Sequence, residues 1–244
     1  MPIFSHRRSY AETVEGRRRL LSRLKVLLIV FLAFEVVVGL FVASYSVSST
    51  AMAPTVRPGD RILASPIVYG PVTVLGKLPG IARPDRGDLV LVDPPYAERP
   101  SFWAALSDAF VRFVTFQQLT LSGRGSEASL NGPFVERVIG VPGDTVSMRD
   151  FVFSVREGGH ELTEFELSSH RYDIVKPSLP QGWDPSYPLS GSMGARTLGK
   201  DEYFLAGDNR GASSDSRLWG PVKLDRIRAE VFLRYWPLRR AGSP

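Results

Sequence analysis

Short apolar runs separated by glycine, proline or aspartate divide most of this chain, and they restrict its fold more than any other feature. The runs are rich in β-branched and aromatic residues, as strands are. They lie at 61–64, 88–92, 134–139, 145–148, 151–155, 203–206 and 230–235. Turn residues such as Pro58-Gly59-Asp60 and Pro142-Gly143-Asp144 lead into them. Because helical patterns do not alternate with these runs, the sequence predicts a mainly β fold of coiled antiparallel or mixed sheets.

Two segments depart from this pattern. After Ser101, which can cap a helix, apolar residues recur at helical spacing to about residue 121. The segment 101–121 is therefore either an interfacial helix resting on a bilayer or an amphipathic helix packed on the sheet. Residues 156–198 are polar and contain several prolines, which predicts a loop-rich insertion or a small subdomain with solvated charged side chains.

The composition excludes several classes of site. The chain has no cysteine and three scattered histidines, so we expect no disulfide, no metal and no other cofactor. The net charge is +5, but residues 1–25 alone contain seven basic and two acidic side chains, and the remainder is balanced at 23 of each. The positive charge therefore belongs to a basic arm and does not indicate a nucleic-acid-binding surface.

An apolar stretch at 26–47 follows the basic arm. As a helix it would be about 33 Å long, enough to cross a bilayer core of about 30 Å. Because a cleaved signal peptide has a shorter apolar region, the sequence predicts a single uncleaved transmembrane helix. The arm at 1–25 would be cytoplasmic, and residues 48–244 would form a domain on the outer side of the inner (cytoplasmic) membrane.

Glu35 lies near the middle of the apolar stretch. A carboxyl group in lipid is costly unless it is paired or protonated. Glu35 could contact a membrane helix of a partner protein, or it could be a neutral carboxyl that the bilayer tolerates. The sequence leaves both interpretations open.

Three longer motifs carry more specific information. They read S-S-T-A-M-A-P-T-V-R-P-G-D at 48–60, F-V-E-R-V-I-G-V-P-G-D at 134–144 and G-D-N-R-G-A-S-S-D-S-R-L-W-G-P-V at 207–222. Together and in this order they closely resemble the signature segments of type I signal peptidase. The resemblance implies a coiled β-sheet domain of the signal-peptidase type with short helical and loop insertions. It also implies that the ligands are signal peptides of exported proteins.

The two positions that carry the chemistry in that family are substituted. The family's serine nucleophile precedes M-x-P-T and its lysine general base precedes R-x-x-G-x-P-G-D, but here these positions are Ala51 and Glu136. A methyl group cannot act as a nucleophile. Thr50 would point to the opposite face of an extended segment, and Ser49 would be displaced by about 6–7 Å along it. The sequence therefore predicts that peptidase activity is lost.

The resemblance also assigns supporting roles. The oxyanion donors would be the Ala51 N–H and the Ser49 hydroxyl. Ser213 would supply a hydroxyl beside the general-base position, and Asp215 and Arg217 would form an ion pair that holds their loop.

A bound peptide is expected to add as a strand between residues 45–50 and 131–135, by the same resemblance. The side chains assigned to substrate binding are Val47, Phe134 and Val135.

The sequence thus predicts a membrane protein of the signal peptidase family that binds signal peptides without cleaving them. One alternative is an active signal peptidase that removes signal peptides from secreted preproteins. Its catalytic groups would then come from a distant residue of this chain or from a partner protein. A second alternative is a non-catalytic subunit of an export assembly, contacted through Glu35 and the 101–121 segment.

Overall fold

The computed structural model describes residues 10–73, 76–97, 101–115, 133–157, 159–184, 187 and 189–244. The strands are β1 (Ala43–Ser46), β2 (Arg61–Ser65), β3 (Val72–Thr73), β4 (Gly76–Lys77), β5 (Leu89–Val92), β6 (Phe134–Gly140), β7 (Thr145–Arg149), β8 (Val152–Glu157), β9 (His160–Thr163), β10 (Met193–Thr197), β11 (Glu202–Ala206), β12 (Val222–Lys223) and β13 (Ile227–Trp236). The helices are α1 (Tyr10–Leu40), α2 (Pro66–Tyr69), α3 (Phe102–Val114), α4 (Glu164–Leu167) and α5 (Ser216–Trp219), with short 3₁₀ turns at Leu224–Arg226 and Leu238–Arg240. The predicted mainly β fold is confirmed.

Two antiparallel sheets form the body of the described chain. The larger has seven strands in the order β1-β2-β13-β5-β6-β11-β12, and the smaller has four in the order β10-β7-β8-β9. Strand β6 lies near the centre of the larger sheet, between β5 and β11. The residues that follow β6 run directly into β7, so the two sheets are joined at this strand.

The core forms on both faces of the larger sheet. Along β5 and β6 the side chains alternate, so that Val135 joins one buried cluster with Val47, while Val90 and Val138 join another. All four residues of β5 are buried. Burial on both faces explains why β5 is an uninterrupted apolar run.

The N-terminal helix does not follow the predicted boundaries. Helix α1 ends at Leu40, and β1 (Ala43–Ser46) pairs antiparallel with β2, with Tyr45 opposite Ile62. Among the described residues, no helix has both the length and the apolar character that crossing a membrane requires. The predicted transmembrane helix at 26–47 is therefore not supported.

Helix α3 begins where the sequence predicts. The Ser101 hydroxyl oxygen accepts a hydrogen bond from the Ala104 N–H at 3.3 Å, and the helix ends at Val114. The predicted continuation to residue 121 lies outside the described residues. Helix α3 packs against α1, where the Arg112 guanidinium lies 3.7 Å from the Glu35 carboxylate. Glu35 thus has an ionic partner within its own chain.

The 156–198 segment contains regular secondary structure and is part of the smaller sheet. It contributes β9, α4 and β10, and two of these are strands of the smaller sheet. Glu164 in α4 is only 3% exposed. The expectation that the charged side chains of this segment are solvated is wrong for Glu164, because buried hydrogen-bond donors surround it.

Lys77 is a partly buried cation that caps a turn of the backbone. Its ammonium group donates to the carbonyl oxygens of Leu224 and Ile227, at the end of the 3₁₀ turn. Burial lowers the pKa of Lys77 to about 8 from its ordinary value of 10.5, and the nearby Asp225 carboxylate opposes the shift. The folded protein therefore releases this proton at a lower pH than the unfolded chain does.

We predict that the free energy of unfolding rises between about pH 8 and pH 10.5 because of Lys77. In this window the unfolded chain binds more protons than the folded chain, so stability increases with pH. Lys77→Met should remove about 1 kcal/mol of this rise, allowing for partial solvent screening. Urea unfolding at several pH values measures it. Lys200→Met, at an exposed lysine, is the matched control, and identical pH slopes in both variants would contradict the assignment.

Candidate functional site

Three distant segments meet at one buried ion pair. The Arg137 guanidinium binds the Asp208 carboxylate through two hydrogen bonds, each of 2.8 Å. The Thr55 hydroxyl donates to the same carboxylate at 2.5 Å. Arg137 is 1% exposed and Asp208 is fully buried. Each of the three sequence motifs therefore supplies one member of a single polar cluster.

Strand register brings Arg137 and Asp208 together. Arg137 pairs with Leu89 of β5 on one side and with Ala206 of β11 on the other. Asp208 follows Ala206 by two residues, so it leaves the end of β11 beside the arginine. A further bond from Arg137 to the Gly87 carbonyl oxygen, at 2.8 Å, fixes the turn before β5.

Ala51 lies in the turn that follows β1 and is held through its backbone. Its N–H donates to the Ser49 hydroxyl oxygen at 3.0 Å, and its carbonyl oxygen accepts from the Asn209 N–H at 2.8 Å. The Asn209 side chain also donates to the Thr50 carbonyl oxygen at 3.3 Å. The Ala51 methyl group thus has a defined position, with 5% of the residue exposed.

Gly207 is where the predicted site residues approach one another. A Cβ atom at this position would lie 2.4 Å from the Ser213 Cβ and 2.7 Å from the Ala51 carbonyl oxygen, so any side chain would displace one of them. The Ala51 backbone and the Ser213 side chain therefore both lie against this glycine.

Ser213, Asp215 and Arg217 form a closed set of hydrogen bonds. The Ser213 hydroxyl donates to the Asp215 carboxylate and accepts from Arg217 at 2.8 Å. Arg217 also donates to Asp215 at 2.8 and 2.9 Å, and Asp215 accepts the Gly207 N–H at 3.1 Å. The set stabilises the loop between β11 and α5, whatever reaction the site performs.

Glu136 and the residues assigned to peptide binding divide between the two faces of β6. Glu136 is 1% exposed and lies opposite Val90 of β5. Val135 packs with Val47 on one face, whereas Phe134 packs with the cluster on the other face. The structure brings Val47 and Val135 together but does not place Phe134 with them. Asn131, at the start of the proposed peptide-binding segment, lies outside the described residues.

Two of the described lysines, Lys77 and Lys176, bind oxygen atoms of residues outside the predicted site. Lys77 donates to the carbonyl oxygens noted above, and the Lys176 ammonium lies 2.6 Å from the Asp150 carboxylate. Lys200 and Lys223 are exposed. Lys77 and Lys176 are therefore engaged by groups other than the predicted site residues.

Glu164 and Tyr172 are site-supporting residues that sequence reasoning missed. The Glu164 carboxylate accepts the Phe153 N–H at 3.0 Å and the Tyr172 hydroxyl at 2.7 Å, and it pairs with the Arg210 guanidinium. The Arg137 guanidinium stacks 3.7 Å from the centre of the Tyr172 ring. Burial raises the pKa of Tyr172, and the negative charge of Glu164 raises it further. One glutamate in a polar stretch gives no periodic signal that could have identified this contact.

The same inserted segment also pairs with the site loop through its backbone. The Val175 N–H donates to the Asp208 carbonyl oxygen, and the Arg210 N–H donates to the Val175 carbonyl oxygen, both at 2.9 Å. Asn209, between them in sequence, bonds to Ala51. The loop is therefore held on one side by the Ala51 turn and on the other by the insertion.

Coiled antiparallel sheets that bring these three motifs to one buried ion pair define a signal-peptidase-type β domain. The comparison with protein families agrees with this class. The chain belongs to the family described as "Signal peptidase, peptidase S26", whose sequence profile matches residues 20–236. The predicted family resemblance is thereby confirmed.

Individual relatives are distant in sequence. The chain is 28% identical over 197 residues to a signal peptidase I of Leptolyngbya laminosa, covering 81% of this chain and 70% of that protein. It is 24% identical over 196 residues to the probable signal peptidase I-2 of Synechocystis, covering 80% and 64%. It is 25% identical over 194 residues to the chloroplastic thylakoidal processing peptidase 1 of Arabidopsis thaliana, covering 79% and 41%. The chain thus spans less than two thirds of the last two proteins.

We predict that Asp208→Asn destabilises the protein by about 3–5 kcal/mol, because it leaves the buried Arg137 cation without a compensating charge. Urea unfolding measures the change. Glu161→Gln is the matched control, since the Glu161 carboxylate lies 3.9 Å from Arg156 and both side chains are more than half exposed. The control should change stability by less than about 0.5 kcal/mol. Equal effects in the two variants would show that the buried pair does not hold the motifs together.

We further predict that Tyr172→Phe costs about 1–2 kcal/mol of stability, since the buried Glu164 carboxylate loses one donor while the ring remains under Arg137. Tyr187→Phe, at a tyrosine that is 54% exposed, is the control and should be nearly neutral. Thermal unfolding of the two variants compares them directly. A neutral Tyr172→Phe would mean that its hydroxyl contributes nothing to the site loop.

Proposed function

We propose that this member of the signal peptidase family binds signal peptides of exported proteins without cleaving them. The observation that carries the proposal is the pair of residues at the catalytic positions. Ala51 has only a methyl side chain, and its carbonyl oxygen lies against Gly207. Glu136 has a carboxyl side chain and is 1% exposed. Peptide hydrolysis by this family's route requires a hydroxyl nucleophile and an amine base at these positions.

Ser213 is one hydroxyl near the nucleophile position, but its bonds oppose a catalytic role. Its proton is directed to Asp215, and its oxygen accepts from Arg217. Activation would require Asp215 to take the proton, yet that carboxylate is fully buried and ion-paired with Arg217. The Ser213 hydroxyl is therefore held within this ion pair.

Ser49 is a weaker replacement on geometric grounds. Its oxygen accepts a hydrogen bond from the Ala51 N–H. This N–H is the group expected to stabilise an oxyanion, so it is already occupied. The predicted displacement of about 6–7 Å along an extended chain does not hold, because residues 50 and 51 form a bend and a turn. In this turn the Ser49 hydroxyl is bound to the Ala51 amide.

The sheet edges support retention of a peptide-binding surface. Strand β1 is the terminal strand of the larger sheet. The second expected segment lies at the start of β6, which begins at Phe134. An extended peptide could add between these two segments through main-chain hydrogen bonds. Val47 and Val135, which pack together, would form the floor of that surface.

Active cleavage is the second candidate, and family membership favours it. The relatives reported above are named as signal peptidases or as a processing peptidase. The export-subunit alternative loses part of its support, because Glu35 is paired with Arg112 in the same chain.

The decisive experiment measures binding and cleavage together. Purified full-length protein is titrated with a fluorescent signal peptide, and a preprotein carrying that signal is incubated in parallel. We expect saturable binding, weaker binding of a scrambled peptide, and no cleavage. Cleavage that disappears in Ser213→Ala or Ser49→Ala would overturn the proposal in favour of an active enzyme.

Restoring the catalytic pair is the reciprocal prediction. Ala51→Ser combined with Glu136→Lys should raise cleavage at least about a hundredfold above the unmodified protein, which is the lower range for general-base catalysis. Ala51→Ser alone is the matched control and should remain near the unmodified level, since it lacks a base. Equal cleavage by the single and double variants would show that Lys at 136 does not act as the base.

A further inference from the structure

Helix α3 carries an apolar stripe that does not belong to the peptide site. Trp103, Leu106, Phe110 and Val114 are 75, 42, 55 and 57% exposed. Their spacing of three, four and four residues places them along one face of the helix. The stripe is about 16 Å long, from the rise of about 1.5 Å per residue.

The stripe is continuous with an apolar surface on α1. Phe110 lies 6.3 Å from Phe31, and Phe113 lies 5.2 Å from both Phe31 and Phe34, measured between ring centres. These aromatic contacts, two of them edge-on, fix α3 alongside α1. Since Phe110 is both in contact with α1 and exposed, the apolar surfaces of the two helices join without a gap.

The apolar surface of α1 extends around the helix. Leu27, Leu28, Ile29 and Val30 are consecutive, and each is between 51 and 65% exposed. Successive helical residues point about 100° apart, so four in a row cover every side. A folded protein partner would cover one side of such a helix, whereas lipid chains can surround it. This pattern therefore favours a lipid occupant over a second protein.

The charged groups of α3 face α1 instead of the stripe. Arg112 lies 3.7 Å from Glu35 and 3.3 Å from Asp108, and the Asp108 side chain is 9% exposed. Carboxylates near hydrocarbon are costly without a counter-charge. Arg112 supplies this charge within the helix pair, so the stripe can enter an apolar phase without exposing a carboxylate to it.

A basic segment borders the apolar surface. The exposed side chains are Arg17, Arg18, Arg19, Arg23 and Lys25. Each basic residue near an anionic membrane surface contributes about 1 kcal/mol of attraction. We propose that α3 is a second lipid-binding element, and that α1 and α3 together bind an anionic bilayer with the Trp103–Val114 stripe in contact with the acyl chains. This inference does not depend on peptide binding.

Because the sequence has no cysteine, a cysteine introduced by substitution is the only thiol that a spin label can modify. A nitroxide label is attached to Leu106→Cys in the full-length protein, which is mixed with vesicles of phosphatidylcholine and phosphatidylglycerol. Collision of the label with oxygen reports the lipid phase, and collision with a water-soluble nickel chelate reports the aqueous phase. Leu179→Cys is the matched control, at a leucine 38% exposed in the insertion. Trp103→Cys provides a second position on the stripe.

We expect the ratio of oxygen to nickel collisions to be severalfold higher at positions 106 and 103 than at 179. We also expect weaker vesicle binding when phosphatidylglycerol is omitted. A ratio at 106 equal to that at 179 would overturn the proposal. Shielding of the label from both reagents, with broadening from a neighbouring label, would also overturn it by assigning the stripe to contact with a second copy.

Discussion

The bidentate pair between Arg137 and Asp208 is the interaction on which the rest of the site depends. Burying either charge alone would be strongly unfavourable, so the pair forms only when β6 and the end of β11 are in register. Thr55 adds the turn after β1 to the same carboxylate, and Gly87 adds the turn before β5. One polar cluster thus links four separate parts of the larger sheet, and it sets the position of the loop that follows Ala206.

A second buried pair supports the first from the opposite side. Arg210 follows Asp208 by two residues and pairs with Glu164 from the insertion. Tyr172 joins the two pairs, because its hydroxyl bonds to Glu164 and its ring lies against Arg137. The loop that carries Gly207 is therefore fixed through side chains and backbone alike. Such cross-linked polar networks favour one well-defined arrangement because each member would be costly to leave unsatisfied.

The sequence predicted the parts of this structure that have a local signal. Short apolar runs with turn residues located β5, β6 and β11, and the motif resemblance led to the Asp215–Arg217 contact that the structure contains. Local signals were insufficient at residues 41–47, where an apolar run cannot distinguish a helix from a strand; here pairing of Tyr45 with Ile62 decides for the strand. Glu164 had no signal at all, since its partner Arg210 is distant in sequence and only the fold brings them together.

The motif residues around the site loop hold one another in place. Ser213, Asp215 and Arg217 satisfy one another, and the backbone of Ala51 is held by Ser49 and Asn209. None of these bonds involves the nucleophile side chain or an amine at position 136. The motif residues therefore fix the site loop through bonds that do not depend on the side chains at positions 51 and 136.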